Sequence, residues 1–329
     1  MLTETIELDL ANSGLAGLDE LSFLRIFATT QARAIVHGTG RTLRQIENAD
    51  GVPLYPAFYR TRLVVPPPVL FNHYTVWDRI VVGVEIERFG RMLLESKGAL
   101  GPPGSLAVDA ASWDRSRLIH VEGSMAFVRD QRTDDAAVDA PRDGTIAALP
   151  AMARRPTALD DQRRIRSEGI VLAAPPGVRL LTAKSRQKIM LARDVQAGRA
   201  LMFAGFTSLL EVGEQRLLAE QLWPPLAPAL FSHAQVLERE VHYLDNVHQG
   251  DTVSIDMVGT LSGCPSELAN AYPSAVGVAL LELRSEIYHE GTNRLLAAAR
   301  TRKIMVVPRT RATDIQDIQR IVRKHGSLA

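Results

Sequence analysis

One long apolar segment in the second half of the chain limits the folds that this sequence can adopt. Residues 199–222 have helical spacing and carry apolar side chains on nearly every face. A helix without a clear polar stripe has to be enclosed on most sides by other structure. The sequence therefore predicts a central helix that the rest of its domain surrounds.

Strand-like segments follow this helix. They cover residues 235–247, 251–261, 276–289 and 295–307. In the second segment Val253, Ile255 and Met257 alternate with polar residues, which is the period of a half-buried strand. One buried helix wrapped by long antiparallel strands is the hot-dog arrangement, so the sequence predicts an α+β fold of this kind.

The first half of the chain repeats this order in weaker form. A helix is predicted over residues 15–37, and strands over residues 54–63, 79–96 and 117–130. The same order occurring twice indicates an internal duplication. We therefore expect a double hot-dog fold whose two sheets meet edge to edge. Residues 1–150 would form the N-terminal hot-dog, and residues 151–329 the C-terminal hot-dog with a C-terminal helix.

Two features shape the beginning of the first long strand, a turn before it and a proline within it. Asp50 and Gly51 form a turn signal, because glycine supplies the positive φ that tight turns need. Pro56 lacks a backbone N–H and cannot donate to a strand ladder, so this strand should be bulged or lie at a sheet edge.

Composition and charge exclude several classes of function. The formal net charge is +1, which gives no bulk attraction to nucleic acid or to a membrane. Cys264 is the single cysteine, so no internal disulfide can form. The N-terminus lacks the features of a signal peptide, and no apolar run is long enough to span a bilayer. We therefore expect a cytoplasmic protein that binds neither nucleic acid nor membrane.

Familiar cofactor motifs are missing from the sequence. The histidines and Cys264 do not have zinc-site spacing, so no metal is expected. A glycine-rich dinucleotide fingerprint, a Walker loop and a Gly-x-Ser-x-Gly elbow are also absent.

Three residues are candidates for chemistry, each with a simpler structural alternative. Asp194 precedes the central helix and could act on a thioester as base or nucleophile, or it could be an acid that complements the helix N-terminus. Tyr55 and Tyr59 lie on the same face of one predicted strand. Each could be catalytic, or could pack its ring against neighbouring strands.

Five segments are similar to the double-hot-dog bifunctional acyltransferase/decarboxylase family of polyketide biosynthesis. They are residues 13–24, 48–63, 194–198, 201–210 and 241–246. The resemblance implies an enzyme that decarboxylates a (methyl)malonyl-CoA-type thioester and transfers the acyl group to an acyl carrier protein. It places the active-site tyrosine at Tyr55, with Tyr59 as the second choice.

The same resemblance implies the partners. They are acyl-CoA and acyl carrier protein, and a homodimer is compatible with this class. No cofactor is implied beyond the coenzyme A thioester, which is substrate, and the phosphopantetheine arm of the carrier. Decarboxylation leaves an enolate, which donors at a helix N-terminus can stabilise. The stretch that contains Asn12 and Ser13, before the first helix, could supply such donors.

Two alternatives remain open at this level. The protein could be a hot-dog thioesterase or dehydratase that uses Asp194 on a carrier-protein substrate. It could also be a non-catalytic module that only binds a carrier protein, because the sequence contains no strong acid–base constellation.

Overall fold

The strands that the structure describes form one antiparallel sheet of ten strands. The structure is a computed structural model, and it describes residues 1–9, 17–129, 138–170, 180–190, 203–221 and 233–325. The first half contains β1 (Leu2–Glu7), α1 (Glu20–Thr39), β2 (Leu54–Val64), β3 (Arg79–Phe89), β4 (Leu93–Gly101) and β5 (Ile119–Arg129).

The second half contains the same kinds of element and some additional helices. They are α2 (Ala158–Glu168), β6 (Leu181–Lys188), α3 (Phe203–Gln221), β7 (Ala234–Tyr243), β8 (Thr252–Gly263), α4 (Ser266–Ala269), β9 (Ala275–His289), β10 (Leu295–Pro308) and α5 (Ala312–His325). In the described part of the chain, no helix is both long and apolar enough to cross a membrane.

The order of the strands is the same in both halves. Across the sheet it is β1-β3-β4-β5-β2 and then β7-β10-β9-β8-β6. Counted from the outer edge of the sheet towards the junction of the halves, each half places its strands in the order first, third, fourth, fifth and second. The two second strands, β2 and β7, pair antiparallel and join the halves. This confirms the predicted double hot-dog fold and its continuous sheet.

The register at this junction relates the two halves by a pseudo-two-fold axis. Arg62 pairs with Glu240, Thr61 pairs with Val241, and Leu63 pairs with Arg239. Residues that differ by 178 in number along β2 and β7 therefore occupy equivalent places. Both strands also have a bulge at an equivalent residue, Tyr59 in β2 and Leu237 in β7.

The central helices are packed against the sheet as predicted. Asp19 caps α1 by accepting a 2.7 Å hydrogen bond from the Ser22 backbone N–H. In α3, Phe203, Phe206 and Leu210 are buried, which confirms the predicted buried face. The enclosure of α3 is less complete than the sequence suggests. Its C-terminal half has an exposed stripe at Val212, Gln215, Arg216 and Glu220.

One predicted strand is wrong and two short strands were not predicted. The single strand expected over residues 79–96 is a hairpin of β3 and β4, because the chain turns at Gly90, where φ is 63°. β1 and β6 were missed because they are short and rich in polar residues. They pair with β3 and β8 at the two ends of the sheet.

Pro56 lies where the sequence argument requires. β2 pairs with β5 along its length, but its ladder with β7 covers only residues 60–64. At Pro56 the edge of β2 that faces β7 therefore has no described strand paired to it, so the missing backbone N–H interrupts no ladder there. The bulge at Tyr59 follows shortly after.

Candidate active site

A cavity of about 230 Å³ lies where the two halves of the molecule meet. Helix α1 of the first half, helix α3 of the second half and the beginning of β2 enclose it. The described residues that line it are Ala28, Gln31, Ala32, Ile35, Leu43, Tyr55, Pro56, Ala57, Phe58, Phe203, Phe206, Tyr243, Asp245 and Asn246. A mostly apolar lining with a few polar groups is typical of a ligand site.

Aromatic rings from both halves form the apolar wall. Phe58 of β2 lies against Phe203 of α3, with ring centroids 4.1 Å apart. Tyr243 meets the ring of Phe206 edge-on at 5.3 Å. The Tyr243 hydroxyl is 2.8 Å from the hydroxyl of Thr61. Burial raises the pKa of Tyr243 above its ordinary value, so this group remains neutral at physiological pH.

Gln31 is a buried polar side chain on the α1 wall. Its Nε2 is 2.6 Å from Ser96 Oγ, and Ser96 Oγ is 3.0 Å from the carbonyl oxygen of Gly123. A carbonyl oxygen only accepts, so Ser96 donates to Gly123 and Gln31 donates to Ser96. This chain of hydrogen bonds fixes the orientation of the Gln31 carboxamide within the cavity wall.

Two further polar residues line the cavity just after β7. One carboxylate oxygen of Asp245 accepts from the Asn246 backbone N–H at 2.8 Å, and the other is 2.8 Å from Arg294 Nε. Asp245 is therefore held by two donors, which makes it a weak candidate for a general base. The side-chain amide of Asn246 is half-buried and makes no hydrogen bond within the described ranges. It can donate to a ligand.

The two candidate tyrosines have different surroundings. Tyr55 is half-buried and lines the cavity. Tyr59, at the bulge, is buried with Leu93, Ala126 and Ala158 under α2, outside the cavity lining. Its hydroxyl donates to Glu95 Oε1 at 3.2 Å. Burial, and then the nearby charge of Glu95, raise the pKa of Tyr59 above its ordinary value.

The other candidates from the sequence, Asn12, Ser13 and Asp194, lie outside the described residues. The structure therefore brings one of the five candidates, Tyr55, to the cavity. It also adds residues that sequence reasoning missed. Gln31 could have been found, because it interrupts the apolar face that Phe27 and Ile35 define at helical spacing. The positions of Asn246 and Phe58 depend on how the two halves are joined.

A second polar feature, a buried ion cluster, lies between the helices and the sheet. We use this name for Glu20, Glu214, Arg239 and Lys303, which are 4%, 1%, 2% and 3% exposed. Arg239 Nε is 2.6 Å from Glu20 Oε1, and its Nη1 is 2.7 Å from Glu214 Oε1. Lys303 also pairs with Glu214.

The cluster leaves its two carboxyl groups with opposite pKa shifts. Burial alone would raise the pKa of Glu214, but Arg239 and Lys303 together outweigh it and hold the pKa below its usual range. For Glu20 burial prevails over the attraction to Arg239, and its pKa is raised. Glu214 is therefore the main counterion of the two buried cations.

Comparisons with known proteins bear on the fold. A scan against protein-family models gives no match, and a search of curated protein sequences gives no significant match. Among solved structures, the 12:0-ACP thioesterase from Umbellularia californica is similar at a TM-score of 0.54 and 13% identity, over 92% of this chain and 93% of that one. An acyl-ACP thioesterase from Bacteroides thetaiotaomicron has a TM-score of 0.51 and 9% identity, over 92% of this chain and 97% of that one. At such identities the likeness concerns the fold alone.

Proposed function

We propose that this protein is an enzyme that acts on acyl thioesters and that the cavity between α1 and α3 is its active site. The observation that carries the proposal is the composition of the cavity. Its aromatic and aliphatic walls suit an acyl chain, while Gln31, Tyr55 and Asn246 offer polar groups to a thioester carbonyl and a reacting carbon. A few placed polar groups in an apolar pocket are the usual means of orienting such a ligand.

Within this class, we favour decarboxylation and acyl transfer. The described lining contains no histidine, cysteine or serine, and Asp245 is held by Arg294 and by the Asn246 N–H. It therefore offers no ready base to activate water for hydrolysis. Decarboxylation of a malonyl-type thioester needs no base, because the bond from the α-carbon to the carboxylate breaks and its electron pair remains as an enolate.

Asn246 and Tyr55 are the proposed participants in this reaction. The free amide of Asn246 would donate to the thioester oxygen, where the enolate charge develops. One placed donor of this kind is typically worth ~3–4 kcal/mol of barrier. The Tyr55 hydroxyl would protonate the α-carbon, or would carry the acyl group between the two thiols. In the second case the Tyr55 oxygen would attack the thioester carbonyl carbon, the bond from carbon to sulfur would break, and the phenolic proton would leave with the coenzyme A thiolate. The carrier thiol would then attack the tyrosyl ester and return a proton to Tyr55 as the carbon–oxygen bond breaks. The apolar wall favours conversion of the charged carboxylate into neutral carbon dioxide.

The phosphate of the incoming thioester also has a suitable place. Arg41 and Arg44 flank Leu43, which lines the cavity, and both are exposed without an acidic partner in the described residues. The turn that presents them is fixed by Gly40, at a φ of 65°, and by reciprocal hydrogen bonds between Thr42 and Gln45. Arginine binds phosphate well, so these two residues would hold the phosphate of a pantetheine arm.

Hydrolysis is the second candidate function. Similar solved structures are described as acyl-ACP thioesterases. A thioesterase would need a base such as Asp194, for which the sequence provides the position before α3. A carrier protein would take part in both reactions, as acyl acceptor in the transfer and as acyl donor in the hydrolysis, so the products separate the two proposals.

Mass spectrometry of a carrier protein separates these functions. The protein is incubated with the free carrier and malonyl-CoA, methylmalonyl-CoA or acetyl-CoA, and in parallel with a carrier already loaded with an acyl group. Decarboxylation and transfer would load the carrier with acetyl from malonyl-CoA and with propionyl from methylmalonyl-CoA. Release of free acid would favour the thioesterase. Carrier binding without any change in mass would favour a non-catalytic module and contradict both enzymatic proposals.

A further inference from the structure

The cavity is small for a ligand site. Its volume of about 230 Å³ lies below the ~300–1,000 Å³ that is usual for sites of drug-sized ligands. A space of this size suits a short acyl group with its thioester carbonyl better than a long aliphatic chain.

Two phenylalanine rings, one from each half of the molecule, limit the cavity. Phe58 and Phe203 are in contact, with centroids 4.1 Å apart. Behind Phe58 lies Phe27, which is fully buried, outside the cavity lining, and 6.3 Å from Phe58 between ring centroids. Phe58 therefore separates the cavity from the core of the first half.

The rings of this wall are seated against glycines of the sheet. A Cβ added at Gly123 would lie 2.7 Å from Cε1 of Phe58, and one added at Gly98 would lie 2.5 Å from Cε2 of Phe27. Both rings thus occupy the space that side chains would fill at these two positions. Because interiors are close-packed, neither ring can retreat further to lengthen the cavity.

We propose that Phe58 and Phe203 limit the length of the acyl group that the site accepts. This inference rests on the proposed action on acyl thioesters and adds two residues that determine its chain-length specificity. The wall acts by exclusion, since each additional methylene of a longer chain would have to displace a packed ring. A misfit of one methylene typically changes kcat/KM by roughly 10–200-fold.

The test compares acetyl, butyryl, octanoyl and dodecanoyl thioesters as substrates of the full chain. We expect kcat/KM to fall steeply after butyryl. Phe58→Ala should open the cavity towards Phe27 and raise the octanoyl-to-acetyl ratio of kcat/KM by about tenfold or more. Phe203→Ala should act in the same direction. Phe58→Leu, which keeps most of the side-chain volume, should give a smaller shift and serves if the alanine variant does not fold.

Phe23→Ala is the matched control. Phe23 is fully buried and packs on Phe71 with centroids 5.9 Å apart, but it does not line the cavity. It should lower stability without changing the chain-length profile.

Calorimetry with uncleavable thioether analogues measures the same chain-length preference as a binding affinity, without turnover. Equal use or binding of dodecanoyl and acetyl compounds by the unmodified protein would overturn the length limit but leave the proposed function intact. Failure to bind or turn over any of these compounds, and malonyl-CoA and methylmalonyl-CoA as well, would overturn the proposed function itself.

Discussion

The two halves of the molecule place very different residues at equivalent positions. Thr61 corresponds to Arg239 by the register of the sheet. Arg62 pairs with Glu240, and Thr61 and Arg239 each directly precede one member of this pair in their own strand. In the first half Phe58 pairs with Met125. At the equivalent place in the second half, Val236 pairs with Lys303.

These differences separate an open region from a filled one. In the first half, Phe58, Thr61 and Gln31 border or support the cavity and bear no charge. In the second half, Arg239 and Lys303 form the buried ion cluster with Glu214 and Glu20. The comparison shows that a duplicated hot-dog can keep the same strand order and bulges while equivalent sheet positions differ in character. Those of the first half border a cavity, and those of the second half carry the cations of a buried ion cluster.

The largest expected effect on stability is at the buried ion cluster. Arg239→Ala would leave Glu20 and Glu214 buried without their shared partner, and breaking a buried pair in this way typically costs ~3–5 kcal/mol. The equivalent change in the first half, Thr61→Ala, removes only the hydrogen bond to Tyr243, worth about 1–2 kcal/mol. Urea unfolding at neutral pH measures both. Equal losses for the two variants would contradict the assigned difference between the halves.

The next prediction concerns the apolar wall that α3 contributes to the cavity. Phe206→Ala should lower the free energy of unfolding by ~3–5 kcal/mol, the usual range for a buried phenylalanine. Val212→Ala, on the exposed stripe of the same helix, should change it by less than about 0.5 kcal/mol. A loss below about 1 kcal/mol for Phe206→Ala in denaturant melts would show that the buried face of α3 is assigned incorrectly.

A third prediction tests the chemistry of the cavity. Tyr55→Phe should leave the fold and thioester binding intact and lower turnover by about a hundredfold or more, as expected for the loss of a positioned acid–base or nucleophilic group. Tyr59→Phe makes the same chemical change outside the cavity lining and should have little effect on turnover. If only Tyr59→Phe abolished carrier acylation, the residue assignment would be wrong. If neither variant were impaired, no tyrosine would be catalytic.

The sequence predicted the fold better than the site. The apolar segment before β7 and the alternating pattern of Val253, Ile255 and Met257 are local signals, and both led to the double hot-dog. The ion cluster was not predicted, because Glu20 and Lys303 become neighbours only through packing between the halves. For the same reason, Asn246 and Phe58 could not be brought to one cavity from spacing alone. Tyr55 was singled out through a family resemblance rather than through a local pattern.

The smallest predicted effect is a pH dependence at the edge of the ion cluster. Burial, and then the charge of Glu20, raise the pKa of Glu211 on α3 to about 7. In an unfolded chain a glutamate titrates near ~4.3. The folded state therefore binds more protons than the unfolded state between these values, and stability falls as the pH rises through this window. Above about pH 7 Glu211 is charged in the folded state, and the loss of folding stability that its charge causes is complete.

Glu211→Gln should remove this penalty. The variant should gain stability over the unmodified protein as the pH rises from 5 to 8. The gain should reach about 1–2 kcal/mol, because each pKa unit is worth ~1.4 kcal/mol and the side chain is partly screened by solvent. Urea unfolding at a series of pH values measures it. Glu220→Gln, on the exposed stripe of α3, is the matched control and should show a much smaller change over the same range. A stability difference for Glu211→Gln that stays constant with pH, or that grows towards acidic pH, would show that the cluster does not impose this charge penalty on Glu211.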